Sequence, residues 1–306
     1  MRFIKMHGAG NDYVYVDLFT ERLSMEPERL APLISDRHFG VGGDGLVLIC
    51  PSDVADARMR MFNADGSEGE MCGNAIRCVA KYVAENLRKG AKSLRVATEA
   101  GIKTIELFYD GSKVERARVD MGAPILKPSE IPTSLRAGGE DAPVVDLPVV
   151  ALKLDFDKEL GADAESFARS PLTCVSMGNP HCVIFVDEIT DELTLDCGPK
   201  IERSLENFPK KVNVEFAEIV SRGELKMRVW ERGSGETLAC GTGTCATVVA
   251  AILSGRTDNR VLARLRGGDL EIEWDRDGNS VFMTGPATEV FRGELDERAL
   301  RWTTGD

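Results

Sequence analysis

The sequence predicts an α+β fold of two pseudo-symmetric domains, each a strand-rich sheet or barrel wrapped around one central helix, with the active site in the cleft between them. Three observations carry that expectation. The stretch MRMFNADGSEGEMCGNAIR lies over MRVWERGSGETLACGTGTC without a gap, which pairs Arg60 with Arg228, Asn63 with Glu231, Glu68 with Glu236, Cys72 with Cys240 and Gly73 with Gly241, all at one constant offset in sequence. The same offset carries Asn11 of GAGNDYVYVD onto Asn179 of MGNPHCVIFVD, and Gly101–Leu107 falls on Gly268–Trp274 one position short of it. Finally, each of Cys72 and Cys240 stands between an extended stretch with a flexible turn and an apolar run of helical character. A fixed long-range offset is the mark of a duplicated domain. The expected division is residues 1–126, joined by a strand returning from 287–306, and residues 127–286.

The elements follow in chain order. Residues 3–18 read as a strand, a turn at Gly8-Ala9-Gly10 that holds Asn11 and Asp12, and a second strand at Tyr13–Val16. Pro27–Ser35 has helical spacing in Leu30, Leu33 and Ile34, and a Gly-rich loop from Gly40 leads into a strand at Leu46–Ile49. Because that loop precedes a strand instead of opening a helix, it meets neither the dinucleotide nor the P-loop pattern. The helix after Cys72 runs to about Lys89, with Arg88 and Lys89 suited to its negative end and Gly90 as a cap. Strands at 94–98, 103–108 and 114–121 follow, and Pro124, Pro128 and Pro132 mark the crossing into the second copy. Val144–Leu154 reads as strand, and Asp155–Ser170 as insertion. Val175 restarts the pattern: a helix near Asp196–Ser204, a strand at Val212–Ile219, the second central helix closed by Ser254-Gly255, and strands at 261–265, 270–274 and 281–284. Glu289–Phe291 reads as a strand returned to the first domain.

Composition narrows the partners. With 306 residues, 43% apolar and 29% charged, the chain is globular and long enough for two domains. Its net charge of −12 is spread along the sequence and its lysines and arginines form no stripe, so nucleic acid is not an expected partner. The N-terminus has no apolar segment of the secretory kind, and no apolar run approaches the length a membrane-spanning helix needs. Neither export nor a membrane is therefore expected, and the cytoplasm is the default. Eight cysteines in such a chain are expected as thiols. With no CxxC pair or His-x3-5-His spacing and only three histidines, no metal site is expected.

The chemistry concentrates at the two helix mouths. Cys78 and Cys245, inside helices, read as small core residues. Cys72 and Cys240 each precede a glycine at a helix N-terminus, where unpaired N–H groups and the dipole favour a thiolate and can lower the pKa from ~8.5 into the ~3.5 to 7.5 range. The backbone N–H groups of Gly73-Asn74 and Gly241-Thr242 suit a carboxylate. One cysteine on each face of the carbon bearing that carboxylate is what removing a proton from one side and returning it to the other requires. Arg232 suits two-point binding of a second carboxylate, and Asn11, Asn63, Asn179 and Asn213 can supply amide hydrogen bonds, although asparagine is equally a turn residue. A half-buried His181 can equally satisfy a local backbone group.

At these residues the sequence resembles the diaminopimelate epimerases, cofactor-independent amino-acid epimerases of the lysine and cell-wall pathway. The resemblance runs through KMHGAGNDY, FNADGSE, MCGNAIRC, VSMGNPHCV, ERGSGETLACGTG and MTGPA. It implies Cys72 and Cys240 as the acid/base pair, and Asn11, Asn63, Asn179, Asn213, Glu231 and Arg232 around the substrate. It further implies Gly73-Asn74 and Gly241-Thr242 on the carboxylate at the reacting carbon, His181 and Glu231 beside the thiols, no cofactor, a small amino-acid substrate and a homodimer. Ala75 stands where the family motif often has Gly, and Gly45 where some members carry a substrate-contacting Gln. Two other readings fit the same residues less fully. A proline- or hydroxyproline-type racemase shares an MCG and a CGTGT motif but follows the first with His and lacks ERGSGET, and its ring substrate has no far end for Arg232. A binding protein that kept the cleft would have no need of both cysteines.

Overall fold

The computed structural model describes residues 1–297 and 299–300. It divides into two compact units, one formed by Met1–Asp120 with the chain from Thr284 on, the other by Met121–Met283. In the first unit the elements are β1 (Arg2–Gly8), β2 (Asn11–Asp17), α1 (Pro27–Ser35), β3 (Gly45–Cys50), β4 (Ala57–Asn63), β5 (Glu68–Gly69), α2 (Gly73–Tyr82, extended by a π-turn over Val83–Leu87), β6 (Ser93–Thr98), β7 (Gly101–Asp110) and β8 (Lys113–Gly122). The second unit has β9 (Leu147–Pro148), α3 (Asp157–Leu160), α4 (Ala164–Ala168), β10 (Pro171–Ser176), β11 (Pro180–Phe185), α5 (Gly198–Glu202), β12 (Asn213–Ser221), β13 (Glu224–Glu231), β14 (Gly235–Thr237), α6 (Gly241–Leu253), β15 (Arg260–Leu265), β16 (Gly268–Asp275) and β17 (Ser280–Pro286). β18 (Thr288–Glu294) runs antiparallel to β1, with Arg2 opposite Glu294. The rest of the expected returning segment, Arg298 and residues 301–306, lies outside the described residues.

Both units use one pairing scheme. β1 and β2 are antiparallel, β2 and β3 parallel, β3 and β4 antiparallel, β4 and β6 parallel, β6 and β7 antiparallel. β10, β11, β12, β13, β15 and β16 follow the same alternation. The register repeats as well. Val14 faces Leu46 as Cys182 faces Val214, Leu46 faces Phe62 as Val214 faces Trp230, and Met61 faces Gly69 as Val229 faces Thr237, every residue shifted by the offset that separates Cys72 from Cys240. Even the ion pair that braces the short strand recurs: Arg60 Nε to Glu68 Oε1 and Arg228 Nε to Glu236 Oε1, both 2.7 Å.

Each sheet wraps a helix that is buried on every side, so any charge the helix carries must find its partner inside. All ten residues of α2 are buried, and in α6 only Thr242 and Leu253 are not. The two charges of α2 are paired: Lys81 Nζ lies 2.9 Å from Glu85 Oε1, and Arg77 reaches the carbonyls and amide described below. Among the described residues no helix is long and apolar enough to cross a membrane.

Two local expectations need correction. Val144–Leu154 forms strand only at Leu147–Pro148 before turning into a 3-10 helix at Val149–Leu152. Pro148 cannot donate to a ladder, and Asp146 and Lys153 take positive φ of 53° and 55°, so the extended run breaks on both sides. The 155–170 segment, read as an insertion, packs inward: Phe156 and Phe167 stack edge-on at 5.1 Å and enter the second unit's core beside Phe216. Asn11 begins β2 rather than sitting in the turn, which Ala9 and Gly10 make alone at φ 52° and 82°.

Candidate active site

In the first unit Cys72 is the N-cap of α2, in extended backbone at φ −131° and ψ 119°, and its sulfur accepts from the Ala75 N–H at 3.5 Å. An N-cap side chain normally supplies an oxygen for this purpose, and here a thiol replaces it. The Cys72 thiol also reaches Asn11 Oδ1 at 3.4 Å. Asn11 is held for that contact, because its Nδ2 donates to Asp44 Oδ2 at 2.7 Å and Asp44 in turn receives Arg37 at 3.0 Å. Asp12 next door is ion-paired to Lys5 at 2.5 Å and Arg37 at 2.8 Å; burial acts to raise its carboxyl, and the two cations overcome that and hold it below the ordinary range.

Gly73 and Asn74 form the first turn of α2, ahead of its first intrahelical bond. Fully buried Arg77 fixes this turn from within: Nη1 donates to Gly73 O at 3.0 Å, Nη2 to Asn74 Oδ1 at 2.9 Å and Nε to Pro286 O at 3.1 Å. β1 presses so closely here that a Cβ on Gly8 would lie 2.8 Å from Asn74 O. Asn63 ends β4 opposite Gly45, with its Nδ2 on Ser67 Oγ at 3.0 Å. A Cβ on Gly45 would stand 2.1 Å from Phe62 O, so this backbone has no room for a side chain there.

In the second unit Cys240 is the N-cap of α6, at φ −118° and ψ 113°, with its sulfur accepting from Gly243 N–H at 3.4 Å and 3.5 Å from Thr242 Oγ1. Its surroundings oppose the shift expected from a helix mouth. Burial pushes the Cys240 thiol well above its ordinary range, the neighbouring Glu231 carboxylate pushes the same way, and the contacts with Thr242 and Gly243 only partly offset them. Burial thus favours the thiol over the thiolate at Cys240. Glu231 closes β13, where the Thr237 hydroxyl donates to its Oε1.

His181 is wholly buried, Nδ1 at 2.6 Å from Glu215 Oε1 and Nε2 at 3.0 Å from Asn179 Oδ1. Asn213, aligned with His181 across the β11–β12 pair, donates to Pro180 O at 3.0 Å and accepts from the Arg232 backbone N–H at 2.8 Å. Asn213 thus pins the start of the turn from which the exposed Arg232 side chain projects, its Nη1 on Lys210 O at 3.0 Å. Asn179, His181, Asn213, Glu231, Arg232, Cys240, Gly241 and Thr242 so gather at one end of the second unit, as Asn11, Cys72, Gly73 and Asn74 do in the first, while the Asn63 amide is turned to Ser67.

Sequence reasoning missed Asp44, Arg77 and Glu215. Glu215 has a visible signal: it lies next but one to Asn213 on the same strand face, and its counterpart in the first copy is the apolar Val47.

Fold and site together define a duplicated α+β protein with a cysteine capping the central helix of each copy. The pattern of the diaminopimelate epimerase family matches residues 3–127 and 173–290. A diaminopimelate epimerase of Agathobacter rectalis is 54% identical over 97% of this chain and 99% of its own length, and one of Acetivibrio thermocellus is 50% identical over 98% and 100%. A solved structure from Pseudomonas aeruginosa, described as a predicted epimerase, has a TM-score of 0.68 over 96% of this chain and 98% of that one, at 14% identity, and so shares the fold. This chain belongs to the diaminopimelate epimerase family. It is an enzyme of the isomerase class.

Proposed function

We propose that this protein interconverts LL- and meso-2,6-diaminopimelate, a step toward lysine and peptidoglycan precursors, by a two-cysteine acid/base reaction that uses no cofactor. One thiolate removes the α-proton, the electron pair left on carbon is held against the substrate carboxylate, and the opposite thiol delivers a proton to the other face. Gly73-Asn74 and Gly241-Thr242 bind that carboxylate through helix-mouth N–H groups. His181 and Glu231 tune the thiols, and Asn11, Asn63, Asn179, Asn213, Glu231 and Arg232 hold the remaining ammonium and carboxylate groups. By resemblance to the family the enzyme works in the cytoplasm as a homodimer.

The observation that carries this reading is the repeated cap: in two copies of one register, the sulfur of a cysteine takes the N–H that closes a central helix, at Ala75 and at Gly243. The test is incubation of EDTA-dialysed protein with LL-diaminopimelate in D2O. Deuterium at the α-carbon of newly formed meso isomer supports it. Turnover of proline or hydroxyproline instead, or isomerisation restored only by added metal or pyridoxal phosphate, would overturn it.

A further inference from the structure

Glu215 takes no part in the reaction just described, yet it is completely buried on β12 beside the reacting end of the second unit. Its Oε1 lies 2.6 Å from His181 Nδ1, and its Oε2 meets no hydrogen-bond partner among the described residues. On the other side of the imidazole, Nε2 stands 3.0 Å from Asn179 Oδ1. An amide oxygen can only accept, so Nε2 carries a proton. Two states satisfy both contacts: a neutral ring that accepts at Nδ1 from a protonated Glu215, or an imidazolium that donates from Nδ1 to a carboxylate. The unpartnered Oε2 separates them. A carboxylate there would be a buried charge with one oxygen unsolvated, whereas a neutral acid leaves only a carbonyl oxygen short of a donor.

The groups that face Glu215 favour the same state. They are His181 and Cys182 from β11, Glu231 from β13 and Cys240 from the mouth of α6, so His181 alone among them can carry a positive charge. Burial raises the Glu215 carboxyl and Glu231 raises it further, against the pull of His181.

We propose that Glu215 is a positioning residue: as a neutral carboxylic acid it donates to His181 Nδ1, locks the ring in its Nε2–H tautomer, and so fixes Asn179 with its amide NH2 turned away from the ring as a hydrogen-bond donor to substrate. The first copy shows the opposite arrangement. Asn11, the counterpart of Asn179 there, has its NH2 tied to Asp44 at 2.7 Å and presents its oxygen, to the Cys72 thiol at 3.4 Å. At the first-copy positions of His181 and Glu215 stand Tyr13 and Val47, so the buried acid and imidazole belong to the second copy only. The duplicated asparagine therefore presents an acceptor in the first unit and a donor in the second.

The donor role of Asn179 toward substrate rests on the function proposed above, whereas the tautomer does not, and the experiment separates them. In a 15N-histidine NMR spectrum of the ligand-free wild-type protein, which has only three histidines, His181 should appear neutral with its proton on Nε2. A doubly protonated ring, or a proton on Nδ1 alone, overturns the proposal whatever the substrate is. Glu215→Gln keeps an N–H donor to Nδ1 and should keep both the tautomer and a near-normal KM for diaminopimelate. Glu215→Leu has no donor, releases Asn179, and should raise KM by about tenfold or more, the loss of one charge-assisted hydrogen bond, with kcat changed less. Equal KM in the two variants, with His181 and the melting temperature unaltered, would refute the positioning role even if the wild-type tautomer is as expected.

Discussion

Gly243→Ala tests the packing that makes this arrangement possible. A Cβ at that position would lie 2.6 Å from Glu215 Oε1 and 3.3 Å from Cys240 Sγ, against an ordinary contact of 3.4 Å or more. Glu215 is fully buried and bonded to His181, so the oxygen cannot swing into solvent. Overpacking of this kind costs about 1–3 kcal/mol, and the better helix propensity of alanine returns at most about 1 kcal/mol. The expected net loss of about 1–2 kcal/mol lowers the melting temperature by about 2–8 °C for a unit of this size. The first copy supplies the control, because it has Ala75 and Val47 at the positions of Gly243 and Glu215. In a Glu215→Val background the Gly243→Ala change should therefore cost little or nothing in stability, while KM stays high because the His181 donor is gone. Urea or thermal unfolding of the two single variants and the double variant closes the cycle. If Gly243→Ala destabilises equally in both backgrounds, the contact with Glu215 is not what requires glycine there.

Cys72→Ser and Cys240→Ser should each abolish epimerisation, yet each should still exchange the α-hydrogen, or eliminate from a β-halogenated analogue, of one stereoisomer only, and the two variants should choose opposite isomers; equal processing of one isomer by both sinks the one-thiol-per-face scheme. Arg232→Lys keeps the charge but loses the planar fork, so KM should rise about tenfold to a hundredfold with an unchanged melting temperature, and wild-type kinetics would show that the far carboxylate is read elsewhere. Cys240 should react slowly with iodoacetamide in the ligand-free protein at pH 7 and faster as pH rises above the ordinary thiol range, followed by peptide mapping, because burial and the Glu231 carboxylate favour its protonated form. Burial likewise lifts Cys78 to about 11, so the folded chain holds a proton that the unfolded thiol releases above ~8.5. That contribution to stability is whole below ~8.5 and is lost as pH climbs toward the folded value, so the urea midpoint should fall between pH 8.5 and 10.5 by less in Cys78→Ala than in wild type.

Much of this protein was legible in its sequence because duplication and periodicity are written in one dimension. The constant offset found Cys72 and Cys240 and the strands and helices around them, and the same offset relates the strand registers Val14 to Leu46 and Cys182 to Val214. The apolar run after Cys240 announced a helix that solvent barely touches, since a helix without a polar face must be surrounded. What stayed hidden depended on which residues meet. Glu215 reads as a polar residue in an alternating strand, and only the parallel pairing of β11 with β12 brings it to His181, 34 residues away in sequence. Arg77 reads as a charge to be placed on a helix surface, and becomes interior only because β1 crosses the first turn of α2 at Gly8 and the backbone supplies carbonyls to receive it. The helix mouth predicted a lowered thiol at Cys240, because dipole and N–H groups are local properties; burial and the Glu231 carboxylate act through the tertiary packing and reverse the sign. Local pattern decides where the chain turns, coils and extends, but desolvation and charge act through space, and only the tertiary structure fixes those distances.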